Sequence, residues 1–353
     1  MPHFHPLTVT DIRATTHDAV IVRLRPDDPA AFAFTPGQYL TLRRMFGATE
    51  IRRSYSISSA PGDILEVGIK HVPGGAFSGW ANTEMQPGDR IEALAPAGRF
   101  RITEAPDRPG HYLAVAAGSG ITPILSILRA GLATMPNARF TLVFANRAAN
   151  SIMYREALED LKNLHMGRLN ILHILKNTAD EIDLFTGRID AAKCTGLFRH
   201  WIDIASVDQA LICGPEGMME TVRQALLDHG LAQDRIVYEL FTGTQSGLLE
   251  KVTHAQAAIA DDTISATIIT GGTALTIPVR PGQSLLQAAL AAEIDAPYSC
   301  QAGVCSTCRA RITEGSGAMQ VNHALEDYEV DQGYVLSCQC YPTSRHVTLD
   351  YDV

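Results

Sequence analysis

The sequence predicts three consecutive folds: an antiparallel β-barrel, an α/β layer on a parallel sheet, and a small C-terminal unit. Three observations lead there. Up to about residue 104, alternating stretches such as Tyr39-Leu40-Thr41-Leu42 and Ile64-Leu65-Glu66-Val67-Gly68-Ile69 are separated by Pro-Gly pairs at 36–37, 61–62 and 87–88. That is the period-two texture of strands joined by turns. Beyond Pro109-Gly110 the apolar runs Tyr112–Ala117, Phe140–Ala145, Leu169–Leu175 and Gln209–Cys213 alternate with helical segments, as strands buried on both faces with crossover helices do. From Thr263 two β-like runs, Ile264–Thr270 and Ala274–Val279, precede a helical Ser284–Ala292 and a cysteine loop. The expected domains are 1–104, 105–243 and 263–353, with 244–262 as a linker.

Composition narrows the function classes. The 353 residues are 46% hydrophobic and 19% charged, enough chain for several cores. A net charge of −9 disfavours nucleic acid, whose binding relies on a basic face. No apolar run approaches the ~18–20 residues of a membrane helix, and Met1-Pro2-His3-Phe4-His5-Pro6 lacks the pattern of an export signal. A cytoplasmic protein without a membrane partner is expected. Five of the seven cysteines fall between 300 and 340, which points to metal or redox chemistry rather than disulfides. The twelve histidines show no metal-binding spacing.

Cys300, Cys305 and Cys308 form a C-x4-C-x2-C run, and Cys338 follows after 29 residues. This is the plant-type [2Fe–2S] ferredoxin spacing. A compact loop with three thiolates can wrap a cluster that one distant cysteine closes, and Gly303 lets backbone N–H groups approach the sulfides. Zinc held by Cys305, Cys308, Cys338 and Cys340, or plain buried thiols, are the alternatives. Structural zinc prefers two similar C-x2-C knuckles, whereas the last pair here is C-x-C. Cys340 is then a neighbour of the cluster.

The segment Arg52-Arg53-Ser54-Tyr55-Ser56-Ile57-Ser58 contains, from Arg53, an Arg-x-Tyr-Ser signature and resembles the ferredoxin–NADP reductase superfamily. The resemblance implies FAD, with Arg53 on the pyrophosphate, Tyr55 along the isoalloxazine, Ser56 at its reactive N5 edge and Ser54 between them. Guanidinium forks and phenol rings suit phosphate and flavin. A surface Arg beside a core Tyr is the plain alternative. His71-Val72-Pro73-Gly74-Gly75-Ala76-Phe77-Ser78 resembles the family's phosphate loop, implying contacts from Gly74, Gly75, Phe77 and Ser78 at a helix start. Related FMN enzymes carry Thr where Tyr55 stands, so FAD is expected over FMN.

Gly118-Ser119-Gly120-Ile121-Thr122-Pro123 turns from a strand-like run into a helix. It is not a full G-x-G-x-x-G, and Pro in a first helical turn is also natural in a structural turn. Its likeness to the family's Gly-x-Gly-Ile-Thr-Pro loop, and that of Cys213-Gly214-Pro215 to a second landmark, implies that the two bracket the nicotinamide, with Thr122 on the cofactor and Cys213 near hydride transfer. The same likeness places Arg147 and Tyr154 at the adenosine end, favouring NADPH with NADH as alternative, and Glu239 and Phe241 at the flavin border. A solvated Arg, a core Cys and strand-core aromatics are the plain readings of those positions.

The order of the parts resembles the reductase components of bacterial multicomponent oxygenases, whose last domain is a β-grasp [2Fe–2S] ferredoxin. The likeness extends to Phe140-Thr141-Leu142, Met319-Gln320-Val321-Asn322 and Gly333-Tyr334-Val335-Leu336-Ser337-Cys338. It implies hydride uptake near Ser56, Thr122, Cys213 and Glu239, single electrons leaving through the cluster, and docking on a di-iron oxygenase acting on phenylacetyl-CoA around Gln301, Val304 and Arg309. A reductase for a steroid or aromatic-ring hydroxylase, a stand-alone diaphorase and a non-enzymatic redox sensor are the rival readings. A sensor would not need both flavin loops and the glycine loop.

Overall fold

The computed structural model describes residues 3–103, 110–177, 182–241 and 264–353. The expected linker 244–262 and the domain borders at 104–105, 243 and 263 lie outside the described residues. Two compact units result, the larger drawn mainly from 5–241 and the smaller mainly from 264–353.

In the larger unit, β1 (His5–Thr16), β2 (Ala19–Pro26), β3 (Tyr39–Phe46), β4 (Thr49–Ser56), β5 (Leu65–Lys70) and β6 (Arg90–Ala93) form one sheet in the order β4-β3-β6-β1-β2-β5. The pairings of β1 with β2 and β6, and of β2 with β5, are antiparallel. Alternation sends Leu7, Val9, Val22, Leu40, Leu42, Val67 and Ile69 into one core, which α1 (Ala76–Thr83) covers with Phe77 and Trp80. Each large side chain so buried contributes about 1.5–3 kcal/mol.

A second sheet follows, made of β7 (His111–Ala117), β8 (Arg139–Asn146), β9 (Leu169–Leu175), β10 (Gln209–Gly214) and β11 (Ile236–Leu240), all parallel, in the order β11-β10-β7-β8-β9. Its connections carry α2 (Ile121–Thr134), α3 (Arg155–Leu164), α4 (Ala191–His200) and α5 (Glu216–Asp228). The chain leaves β7 towards β8 and β9, then returns to build β10 and β11 on the other side of β7. The crevice at the carboxyl ends of β7 and β10 is therefore the switch point where open α/β sheets take ligands. Both glycine-containing turns, 118–120 and 213–215, sit there.

The smaller unit pairs β12 (Ile264–Thr270) with β13 (Thr273–Val279), covers them with α6 (Leu285–Ala291), and continues through β14 (Arg309–Glu314), β15 (Gly317–Met319), α7 (Asp327–Asp331), β16 (Tyr334–Leu336), β17 (Cys340–Pro342) and β18 (His346–Asp350). The five-stranded order is β13-β12-β18-β14-β16, with β15 and β17 as a separate pair. A parallel β12–β18 pair at the centre of a mixed sheet, crossed by one helix, is the grasp-like arrangement expected. Ser284 caps α6 by accepting from the Gln287 N–H while the Gln287 side chain accepts from Ser284 N–H, a capping box.

Candidate functional site

The flavin motif occupies β4. Arg53 and Tyr55, two apart on a strand, share one face. The Tyr55 ring meets Phe77 at 5.6 Å between centroids. Phe77 itself is buried in the barrel core rather than open to a ligand. Ser78 Oγ accepts from the Val72 N–H at 3.1 Å and donates to Gly75 O at 3.3 Å, so it fastens the Gly74-Gly75 turn at the head of α1. The Ser56 side chain, 3% exposed, donates to Glu239 Oε2 at 3.4 Å.

Glu239 stands beside Cys213 in the β10–β11 register. Part of its surface remains accessible, yet the mass of protein around the carboxyl pushes it up to about 8, against a smaller lowering by the Ser56 hydroxyl. The Cys213 thiol, fully enclosed, is raised well above the ordinary thiol range by burial and then by the Glu239 charge. It is a neutral S–H packing group and not a thiolate.

The turn after β7 is built against the end of β10. A Cβ on Gly120 would stand 2.1 Å from Cys213 O, so only glycine allows the approach. Thr122, 2% exposed, donates from Oγ1 to Ser119 O at 3.0 Å and closes the Gly118–Gly120 turn. Pro123 fits the first turn of α2, and no side chain caps that helix at Gly120. First-turn N–H groups there suit an anion such as a pyrophosphate. Gly214 ends β10, Pro215 precedes α5, and Phe241 packs at the edge of the α/β core. Ser56, Cys213, Glu239 and Gly120 thus converge on one place.

Arg147 and Tyr154, the residues expected at the adenosine end, lie elsewhere. Arg147 lies exposed after β8. Tyr154, expected at the adenosine end, is instead 2% exposed, and its hydroxyl bonds Ser58 Oγ at 2.8 Å. Its backbone takes the left-handed φ of 57°, which turns the ring inward. Sequence reasoning also passed over Glu66, Ser58, Ser126 and Arg129, which form a buried network with Tyr154. The available signal was a charged residue inside the apolar run 64–69, since a buried carboxylate needs partners.

All seven cysteines are free. Among the described residues no three His, Cys, Asp or Glu converge on one point; the thiols go in twos. Cys305 donates to Cys300 Sγ at 3.1 Å, and Cys308 is hydrogen-bonded to Cys338. The Ala302 N–H also points to Cys300 Sγ at 3.4 Å. The Cys305 bond and these backbone donors lower the Cys300 thiol, favouring the thiolate a metal requires. Two thiol pairs fit a cluster of two irons, each taking two thiolates. Cys340 is buried on β17, and burial pushes it up to about 12. Arg309 pairs with the buried Glu329 at 3.0 Å and lies over the Tyr334 ring, so it is held within its own domain.

Nucleotide loops at a switch point and paired cysteines in a ferredoxin-like unit define a flavin- and iron–sulfur-dependent NAD(P)H oxidoreductase. Family models match in the same order: an oxidoreductase FAD-binding domain at 6–102, an oxidoreductase NAD-binding domain at 114–224 and a 2Fe-2S iron-sulfur cluster binding domain at 268–343. The chain belongs to the oxygenase-reductase branch of the ferredoxin–NADP reductase superfamily that ends in a plant-type ferredoxin domain. It is 38% identical to one of the subunits of 1,2-phenylacetyl-CoA epoxidase from Escherichia coli, over 100% of this chain and 99% of that protein. It is 31% identical to the ferredoxin reductase component of 3-ketosteroid-9-alpha-monooxygenase from Rhodococcus rhodochrous, over 98% and 96%. The fold is shared, at 22% identity and a TM-score of 0.71, with an intact type IV self-sufficient cytochrome P450 monooxygenase; 98% of this chain is covered but only 41% of that longer protein.

Proposed function

We propose that this chain is the NADPH-oxidising reductase component of a cytoplasmic multicomponent monooxygenase, and that its acceptor is a di-iron oxygenase acting on phenylacetyl-CoA. The observation that carries the hydride-transfer half is the meeting of Ser56, Glu239 and Cys213 with the Gly118–Thr122 turn at the switch point. Bound FAD supplies the conversion of a two-electron hydride into single electrons that a [2Fe–2S] cluster can carry. The chain's own residues bind and orient. Arg53 offers a guanidinium to the flavin pyrophosphate, with Ser54 and the Gly74–Ser78 turn beside it, and Tyr55 offers a ring face. Ser119, Thr122 and Pro123 shape the nicotinamide seat together with Cys213, Gly214 and Pro215, while Phe241 borders the flavin and Arg147 meets the 2′-phosphate. Burial favours the protonated form of Glu239 beside the Ser56 hydroxyl. Positioning, more than acid–base chemistry, sets the rate. Cys300, Cys305, Cys308 and Cys338 hold the cluster. The domain borders 1–104, 105–243 and 263–353, with 244–262 as linker, belong to this reading.

The named acceptor is supported by the full-length likeness at 38% identity; the 31% relative gives a steroid oxygenase as second reading. Purified oxygenases of both kinds decide between them. Coupled product from the phenylacetyl-CoA enzyme supports the proposal, and coupling only to the steroid enzyme rejects the named acceptor while keeping the reductase.

A further inference from the structure

A polar network around one buried carboxylate includes none of Ser56, Glu239 and Cys213. Its centre is Glu66 on β5, 3% exposed. The Glu66 carboxylate accepts from Arg129 Nη1 at 3.1 Å, from Ser58 Oγ at 3.2 Å and from Arg23 Nε at 3.3 Å, with Arg13 at 3.8 Å. Arg129 Nη1 also donates to Ser58 O at 2.8 Å, and Ser126 Oγ donates to Ser59 O at 2.6 Å. Both donors stand on α2, whose second residue is Thr122. Both acceptors stand just after β4, whose last residue is Ser56.

Tyr154 completes the tie. Its hydroxyl bonds Ser58 Oγ at 2.8 Å, and its backbone N–H donates to Thr15 Oγ1 at 2.7 Å. A Cβ on Gly68 would lie 2.8 Å from both Tyr154 Oη and Thr122 Cγ2, so the two side chains rest on the same spot of β5. A charge buried with partners is rarely the cheapest way to fill a core, because apolar residues avoid the desolvation cost. What such a network does well is fix one geometry.

We infer that Glu66 and Tyr154 are positioning residues for hydride transfer, holding the strand that ends in Ser56 against the helix that carries Thr122. The inference rests on the proposed reading that Ser56 and Thr122 flank the reacting pair. Ser58 and Arg129 transmit the constraint, and Glu66 and Tyr154 act through them.

The test uses flavin-loaded full-length Tyr154→Phe, which deletes one oxygen from a ring that stays packed, with Glu66→Gln as second variant. Flavin reduction is followed by stopped flow with NADPH and its C4-deuterated form over a range of temperatures. Expected for Tyr154→Phe is unchanged NADP+ affinity, a reduction rate about tenfold lower, since misplacement of an ångström costs up to 10²-fold, and an isotope effect that becomes more temperature-dependent than wild type. Without NADPH, amide exchange at residues 58–59 should quicken. Wild-type rate and isotope behaviour, or unchanged exchange, overturns the inference, even if thermal stability has dropped. Absence of any primary isotope effect in the wild type overturns both this inference and the reading beneath it.

Discussion

The Ser56 hydroxyl donates to Glu239 Oε2 across 3.4 Å, joining the end of β4 to β11. This bond brings the flavin-motif strand and the α/β sheet to a common point, and it puts a carboxyl raised to about 8 beside the motif serine.

A raised carboxyl makes the folded state hold its proton more tightly than the unfolded chain. Between the usual carboxylate range and about pH 8, unfolding releases that proton, so stability falls as pH rises through the window, and the full penalty remains above it. Glu239→Gln should lose this slope. Thermal unfolding at saturating FAD is expected to find the variant near wild type at about pH 5 and more stable by up to about 5 kcal/mol at about pH 9, one pKa unit being worth about 1.4 kcal/mol. Parallel profiles would refute the role given to burial.

The Cys338 and Cys308 thiols are hydrogen-bonded, whereas Cys340 is buried on β17. Cys338→Ser should therefore prevent normal cluster assembly, while Cys340→Ser keeps the visible spectrum and the acid-labile sulfide. In both variants NADPH should still reduce the flavin, because that site is built from other domains. Sulfide analysis and absorption spectra check this, and the reverse pattern would reassign the ligands.

The Gly118–Gly120 turn admits no side chain at its last position. Gly120→Ala would drive a methyl into Cys213 O, so either the turn or β10 must shift. Expected is a KM for NADPH raised at least tenfold with FAD content retained, measured by ferricyanide reduction. Wild-type kinetics would mean that the turn yields to the methyl without loss.

Much of this was legible in the sequence. The strands of the parallel sheet fall within a residue or two of the apolar runs that predicted them, because strands buried on both faces leave an unbroken signal. The cysteine spacing likewise singled out the four thiols that the fold sets in two pairs. Tyr154 was not legible: its inward turn depends on a left-handed φ of 57° and on Ser58, a partner 96 residues earlier. The pairing of Arg309 was hidden for a similar reason, since its carboxylate, Glu329, arrives on α7, an element too short to show a helical period.

Arg147 is exposed after β8, and the proposed function has it meet the 2′-phosphate of NADPH. Arg147→Ala should raise KM for NADPH by about tenfold or more and leave NADH nearly unchanged, a lost charge-assisted contact being worth about 1.5–3 kcal/mol. Steady-state kinetics with both coenzymes checks the preference. An equal effect on the two would remove its basis.

Electrons should follow a single path from NADPH through FAD to the [2Fe–2S] cluster, and anaerobic rapid mixing with freeze-quench electron paramagnetic resonance follows that path in time. After NADPH is added, the flavin absorbance should bleach first and the signal of the reduced cluster should then rise in the same molecules. Flavin that bleaches fully while the cluster stays oxidised, in protein whose cluster dithionite can reduce, would rule the path out.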